Sequence, residues 1–382
     1  MEMSIQPAHS VSSQCSACGA SNDSASLFCL RCTAPMAVVS LGDLTDNDHR
    51  ACLAALFDTL ADGLKNASAN TPAIADPDLW RAYLSAFWLR PETALILYAE
   101  ALAIHSVGER AARPWLDLGC GDGIHAGLYS GWRFETAFDA FQSLDLGAGD
   151  MYHHWAPEQF SVMMSERGRM IAHGIDIKQT AVERAKALGV FGAVQRADAT
   201  QLPLPDKSVA TIFSNMLRDL GEPLPGALDE CRRVLRDDGV LLISTMTPAY
   251  ARNLYFAPAA KEAMVAGDTK LSRQLLRLDR GRSVFCRPQL SQDDWRILLA
   301  SHGFKLSNVR PIVGPGVIRF WDVGLRPFSI ALLQQRQAWK DAGVLPLIKP
   351  GAVDFLARSL DSLARGLCIG EPCMNLLEVI KA

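Results

Sequence analysis

The sequence predicts an α/β fold, a doubly wound, seven-stranded and mostly parallel sheet with helical cap insertions and a small cysteine-bound module at its amino end. Three observations predict it. The apolar run beginning at Trp115 ends in three glycines at alternate positions, Gly119, Gly121 and Gly123. A second apolar run, Ile171 to Ile177, ends on an acid, Asp176, and leads into a helical stretch from Thr180 to Leu188. Further apolar runs, Val209 to Phe213 and Val240 to Ser244, then recur between amphipathic segments, the alternation that specifies a parallel sheet covered on both faces.

Residues 1–40 carry Cys15, Cys18, Cys29 and Cys32, two Cys-x-x-Cys pairs that can each present two thiolates to one tetrahedral ion. Zn2+ is the soft, redox-silent candidate. The segment resembles short zinc-ribbon knuckles, with Thr33 in place of the usual closing glycine. Such a knuckle has almost no apolar core, so coordination supplies its folding energy and leaves no open position for chemistry. The other six cysteines are scattered, as thiols in a reducing compartment are.

Residues 41–110 predict three helices. Leu53, Leu56, Phe57, Leu60 and Leu64 recur on one face of the first; the second starts at Asp76 with Pro77 in its first turn, and the third near Pro91. Trp80, Tyr83, Phe87 and Trp88 either help line a ligand cleft or pack between helices.

Residues 111–382 form the main domain, with insertions near 132–168, 248–290 and 314–372. The first follows from spacing: the acid after the second strand is expected about 20 residues beyond a glycine loop, yet Asp176 lies 59 positions after Asp117. This insertion carries Tyr152, His153, His154 and Trp155, and reads either as a substrate lid or as a solvated excursion. Beyond the fifth strand, a helix from Ser291 to His302 precedes a sixth strand ending near Pro311, and the last strand runs from Asn375 to Lys381. The two later insertions follow strands directed at the ligand face and are expected to roof it.

Charge and spacing decide which ligand the glycine loop suits. A dinucleotide fingerprint needs a third Gly or Ala three residues beyond the second, where this chain has Ile124, and Asp122 would face a pyrophosphate. A ligand with adenosine at one end and a sulfonium and an ammonium at the other tolerates both Asp117 and Asp122, which describes S-adenosylmethionine. Asp176 stands where ribose hydroxyls are gripped.

Downstream lie Asp198-Ala199-Thr200-Gln201-Leu202-Pro203-Leu204-Pro205-Asp206 and Arg233-Val234-Leu235 before Gly239. With the Leu116-Asp117-Leu118-Gly119-Cys120-Gly121-Asp122-Gly123 loop, this order resembles class I S-adenosylmethionine-dependent methyltransferases, with their Rossmann-like sheet, over 113–247. The resemblance implies that Gly119, Gly121 and Gly123 line the methionine end, with Asp117 near its amino group. It further implies that Asp176 binds the ribose, Ile177 packs on the ring and Asp198 with Ala199 meets the adenine; Asn215, closing the fourth strand, joins the cofactor-binding set. Methyl transfer is an in-line displacement that gains from alignment and exclusion of water, with a base wherever the acceptor must lose a proton. His125, Tyr152, His153, His154 and Asp322 are the candidates. His125 follows the loop directly and is either that base or a core-facing residue.

Composition bounds the partners. The chain has 38 Lys and Arg against 41 Asp and Glu, a net charge of −3. Residues 250–382 hold 19 basic against 11 acidic side chains, so the roof is basic and the rest acidic. Arg273, Arg277 and Arg280 share one helical face there, and Leu271, Leu275 and Leu278 another. That face suits an anionic acceptor or a membrane surface, or is simply solvated. No apolar run reaches the roughly 18 residues of a transmembrane segment, nor does the amino end read as a signal peptide; a cytoplasmic enzyme is expected. Its acceptor is expected to be a small molecule or a lipid-linked or cell-envelope precursor. Two alternatives stand beside this. Some ribosomal-RNA methyltransferases also carry a four-cysteine module, although here an Asn-Pro-Pro-Tyr motif is absent, net charge is negative and the knuckle has one basic residue, Arg31. A zinc-ribbon adaptor with an inactive cofactor-binding domain would bind without turnover.

Overall fold

The computed structural model describes residues 12–14, 20–23, 45–66, 73–142, 160–217, 220–279 and 289–382. The four clustered cysteines, Tyr152, His153, His154, Trp155 and Arg280 lie outside them. Ser12–Gln14 (β1) pairs antiparallel with Ser21–Asp23 (β2).

The main sheet contains β3 (Trp115–Leu118), β6 (Ile171–Asp176), β7 (Phe191–Arg196), β8 (Val209–Ser214), β9 (Leu235–Met246), β10 (Phe304–Val313) and β11 (Met374–Lys381). They lie in the order β10-β11-β9-β8-β3-β6-β7. Strands β3, β6, β7, β8 and β9 are parallel, and β11 is antiparallel to both β9 and β10. The expected seven-stranded, mostly parallel sheet is therefore present. The chain builds outward from β3 through β6 to β7, then crosses to β8 on the other side; that reversal opens a crevice at the carboxyl ends of β3, β6 and β8.

Strand β9 begins earlier than the sequence predicts. The segment Leu235 to Gly239, expected as a turn, is part of the strand, directly after α6 (Leu224–Val234). Its pairing with β8 shifts register between Val209 and Thr211. At Gly239 a Cβ would come within 2.8 Å of the Ala210 carbonyl, so only glycine permits this close approach.

Helices α1 (Asp46–Asn66), α2 (Pro77–Ala86) and α3 (Pro91–His105) match the expected three. Asp76 caps α2 by accepting from Leu79 N at 2.9 Å, with Pro77 preset for the first turn. Apolar on nearly all sides, α3 is buried on nearly all sides, against the sheet and neighbouring helices. The stripe read for α1 is corrected in part. Leu56 and Leu60 are half-buried against the core, but Leu53 and Phe57 are exposed, and the helix also buries Cys52 and Ala55 in one cluster with Phe256 and Ala260 of α8 (Phe256–Val265). Small residues allow the close packing that the larger ones would block.

The described part of the 132–168 insertion is mixed: Trp132 and residues 138–142 are buried, while 133–137 and 160–168 are half-buried or exposed. Strands β4 (Arg133–Phe134) and β5 (Met164–Glu166) form its base, and Trp132, Phe138 and Phe141 are buried. Asp139 is 0% exposed. Its carboxylate accepts from Phe141 N at 2.9 Å, Arg336 Nε at 3.0 Å and Trp88 Nε1 at 3.4 Å, while Lys349 donates to the Phe138 carbonyl. Burial pushes the Lys349 ammonium down to about 8, with Asp139 opposing the shift. Arg336 and Lys349 belong to α12 (Ser329–Asp341) and α13 (Leu345–Ser359), so the first and last insertions share one buried charge cluster.

The 248–290 insertion is helical where described: α7 (Ala249–Asn253), α8 and α9 (Thr269–Asp279). In α9, Leu275 and Leu278 are buried as expected, but Leu271 is exposed and Ser272 takes its place inside. Helix α10 (Gln292–Ser301) starts with a capping box between Ser291 and Asp294, and α11 (Pro315–Val323) and α14 (Asp361–Arg365) belong to the last insertion; contrary to expectation the two later insertions do not roof the crevice, since among the described residues none of 248–290 or 314–372 lines it.

Replacing Asp139 by Ala leaves two buried cations without their carboxylate. We expect urea unfolding to show a loss of about 3–5 kcal/mol; a change below about 1 kcal/mol would mean that the cluster is not structural.

Candidate active site

The crevice is a cleft of about 360 Å3. The carboxyl ends of β3, β6 and β8 form its floor, the segment 197–199 one end, and Phe87 and Leu97 a helical wall. Asp117, Gly119, Gly121, Asp122, His125, Asp176, Ile177, Asp198, Ala199 and Asn215 all line it. The strand-end positions singled out in the sequence thus converge, although up to 98 residues separate Asp117 from Asn215.

Gly119 has φ +81°, and a Cβ there would lie 2.3 Å from Met216 Cγ. Any side chain would be both strained and in collision. Gly123 departs from expectation: it does not line the cleft. With φ +79° it starts α4 (Ile124–Tyr129) and packs on Phe191, where a Cβ would lie 2.8 Å from the ring.

Asp176 holds the loop in place. Its Oδ2 accepts from Gly121 N at 2.9 Å and its Oδ1 from Lys178 N at 2.8 Å. Burial raises its pKa, and these two amides oppose the rise. The carboxylate that sequence assigned to a ribose is therefore also a structural pin.

Asp117, 4% exposed, accepts from Tyr129 Oη at 2.8 Å. Burial pushes it up to about 7; the Tyr129 hydrogen bond and His125 oppose this, and Glu100 and Asp176 add to it. Asp198 Oδ1 accepts from Thr200 N at 3.1 Å, shaping the turn after β7.

His125 lies in the first turn of α4, with Nδ1 2.8 Å from Tyr83 Oη. Its Nε2 is 2.8 Å from Glu100 Oε2, a charge contact outside aligned hydrogen-bond geometry. His125 thus lines the cleft while both its ring nitrogens face buried partners. Asn215 Nδ2 donates to the same Glu100 oxygen at 3.3 Å. Tyr83, Glu100, His125 and Asn215 thereby join α2, α3, α4 and the end of β8. Of the aromatic set, Trp80, Tyr83 and Trp88 pack between helices, and Phe87 reaches the cleft. Asp322 is no candidate base: its Oδ2 accepts from Tyr255 N at 2.8 Å and Phe256 N at 3.0 Å, capping α8.

Sequence reasoning missed Glu100 and Arg184. Glu100 is a lone acid on the buried face of an otherwise apolar stretch of α3, a signal that was available. Arg184 lies on the amphipathic α5 (Gln179–Leu188), where nothing local marks it as buried.

The cleft fits a cationic nucleoside. Four carboxylates line it, two at strand ends, and the apolar Ile177 and Ala199 sit beside Asp198. A pyrophosphate would meet Asp122 and Asp176 within the loop itself. Among the described residues no three His, Cys, Asp or Glu side chains group as metal ligands.

Residues 144–243 match the family described as "Methyltransferase domain". A malonyl-[acyl-carrier protein] O-methyltransferase of Serratia marcescens is 32% identical over 113 residues, 30% of this chain and 41% of that protein. One from Methylococcus capsulatus is 48% identical over 60 residues, 16% of this chain and 22% of that protein. The chain thus spans less than half the length of these curated relatives. A Thermotoga maritima structure, described as a SAM-dependent methyltransferase and possible histamine N-methyltransferase, aligns at 15% identity and TM-score 0.35, covering 58% of this chain and 77% of that one.

Because the folded pKa of Asp117 stands above its ordinary 3.8, its contribution to stability is complete below about pH 4 and lost as pH rises through about 7. Thermal unfolding of ligand-free protein between pH 4.5 and 8 should therefore fall less steeply for Asp117→Asn than for the native chain. Equal slopes would contradict the buried, proton-holding carboxylate.

Proposed function

We propose that the chain is an S-adenosylmethionine-dependent methyltransferase acting on a small-molecule or lipid-linked acceptor, including cell-envelope precursors. The observation that carries this reading is the acid-lined cleft at the switch point, with a glycine loop held open by Asp176. The methyltransferase-domain match, which takes in β6, β7 and β8, supports it.

The bound cofactor supplies an electrophilic methyl group on a sulfonium. The chain's residues do the rest. Asp176 offers carboxylate oxygens to ribose hydroxyls while holding Gly121 N; Asp198, Ala199 and Ile177 suit the adenine end. Asp117, ionising opposite an ammonium, would gain the charge partner that its burial denies it. Phe87 and Leu97 exclude water along the helical wall. The base, where the acceptor needs one, is sought in Tyr152, His153 and His154.

The relatives are named for a malonyl group on an acyl-carrier protein, which is compatible with a carrier-borne or lipid-linked acceptor here. Lys270 and Arg273 are exposed on α9, and the surplus of basic residues over 250–382 suits an anionic ligand or membrane surface. No helix among the described residues is long and apolar enough to cross a membrane. We assign Zn2+ to Cys15, Cys18, Cys29 and Cys32 on their spacing alone.

Calorimetry with S-adenosylhomocysteine tests the core of this reading. Native protein should bind one equivalent, and Asp176→Ala should bind about tenfold more weakly or worse; equal affinity would contradict the ribose role. Metal analysis should return about one zinc per chain, falling when Cys15 and Cys18 are replaced by Ser. A steep salt dependence of binding to RNA, with none to anionic vesicles, would shift the acceptor to RNA.

A further inference from the structure

Arg184 stands where three parts of the molecule meet. It projects from α5, the helix after the Asp176 strand, and is 2% exposed. Its Nη2 lies 3.0 Å from the Ala140 carbonyl and 3.4 Å from Asp122 Oδ2; its Nη1 lies 3.4 Å from the Gln142 carbonyl. The guanidinium carbon sits 5.0 Å above the centre of the Phe160 ring. Asp122 belongs to the glycine loop and its Oδ1 accepts from Ile124 N at 3.2 Å, at the start of α4. Ala140, Gln142 and Phe160 belong to the 132–168 insertion. Gln142 closes the neck of that insertion: its side-chain amide donates to the Ser161 carbonyl at 3.2 Å and accepts from Ser161 N at 3.3 Å.

We propose that Arg184 is a positioning residue that couples occupancy of the cofactor cleft to the neck of the insertion, an inference that rests on the cofactor reading above. The guanidinium suits this because its planar fork reaches a carboxylate and two carbonyls at once while its face lies over an aromatic ring. A lysine ammonium at the same position can take one or two of these partners but cannot span all of them. Both Arg184 and Asp122 line the cleft, so a ligand seated on the glycine loop meets one end of the bridge. Ligand contact that fixes Asp122 fixes the guanidinium, and with it the carbonyls on one side of the neck and the ring on the other. By linkage, loosening the neck must weaken the ligand by the same factor by which the ligand tightens the neck.

The test uses the full chain and S-adenosylhomocysteine as probe, read by hydrogen exchange and calorimetry. In native protein the probe should slow amide exchange at residues 138–142 and 160–162. Arg184→Lys should bind it roughly tenfold more weakly and lose that slowing. Asp122→Asn should weaken binding comparably, and combining the two should cost less than the product of the single effects. Gln142→Ala, outside the cleft, keeps the proposal testable should Arg184→Lys fail to fold; it should weaken binding severalfold through the neck alone. Probe binding that leaves exchange at the neck unchanged, or native-like affinity in Gln142→Ala, would overturn the coupling and leave the cofactor reading intact. Absence of probe binding to native protein would overturn both.

Discussion

The double hydrogen bond of the Asp176 carboxylate is the constraint on which the site depends. One oxygen receives Gly121 N and the other Lys178 N, so the end of β6 fixes the turn after β3. With the turn fixed, Gly119 can pass under Met216 in its left-handed conformation, and α4 starts in register with the strands.

Electrostatics then select what the loop admits. Asp117 and Asp176 are desolvated, and burial raises both. Such carboxylates favour a cationic partner and oppose a phosphate. Behind them, Glu100 approaches His125 and Asn215 while Tyr83 meets the other face of the imidazole. These contacts bind the amino-terminal helices to the loop, so the helical wall and the cofactor floor form one packed unit. The Asp139 cluster extends the same principle to the first and last insertions, where buried charges are paired because an unpaired one is costly.

How much of this was legible depended on range. The strands and the glycine loop were readable because short apolar runs end locally, in glycine or an acid, and Asp76-Pro77 and Ser291 announce helix starts. Most of the candidate cofactor residues converged as expected, because strand-end positions in a parallel sheet share one edge. What failed depended on partners far away in the chain. Periodicity gives α1 a leucine face, of which Leu56 and Leu60 pack inward, while packing adds Cys52 and Ala55 and leaves Leu53 and Phe57 outside. Nothing in the insertion's own sequence reveals that Asp139 meets Arg336 and lies near Lys349. That Glu100 and Tyr83 face the nitrogens of His125 is not written locally, because they lie on other helices. Gly123 shared the motif's spacing but serves packing.

Equilibrium dialysis against labelled S-adenosylmethionine, with excess NAD as competitor, distinguishes a sulfonium nucleoside from a dinucleotide as the ligand of this cleft. About one equivalent retained per chain and undisturbed by NAD is expected; no retention, or displacement by NAD, would overturn the proposed function.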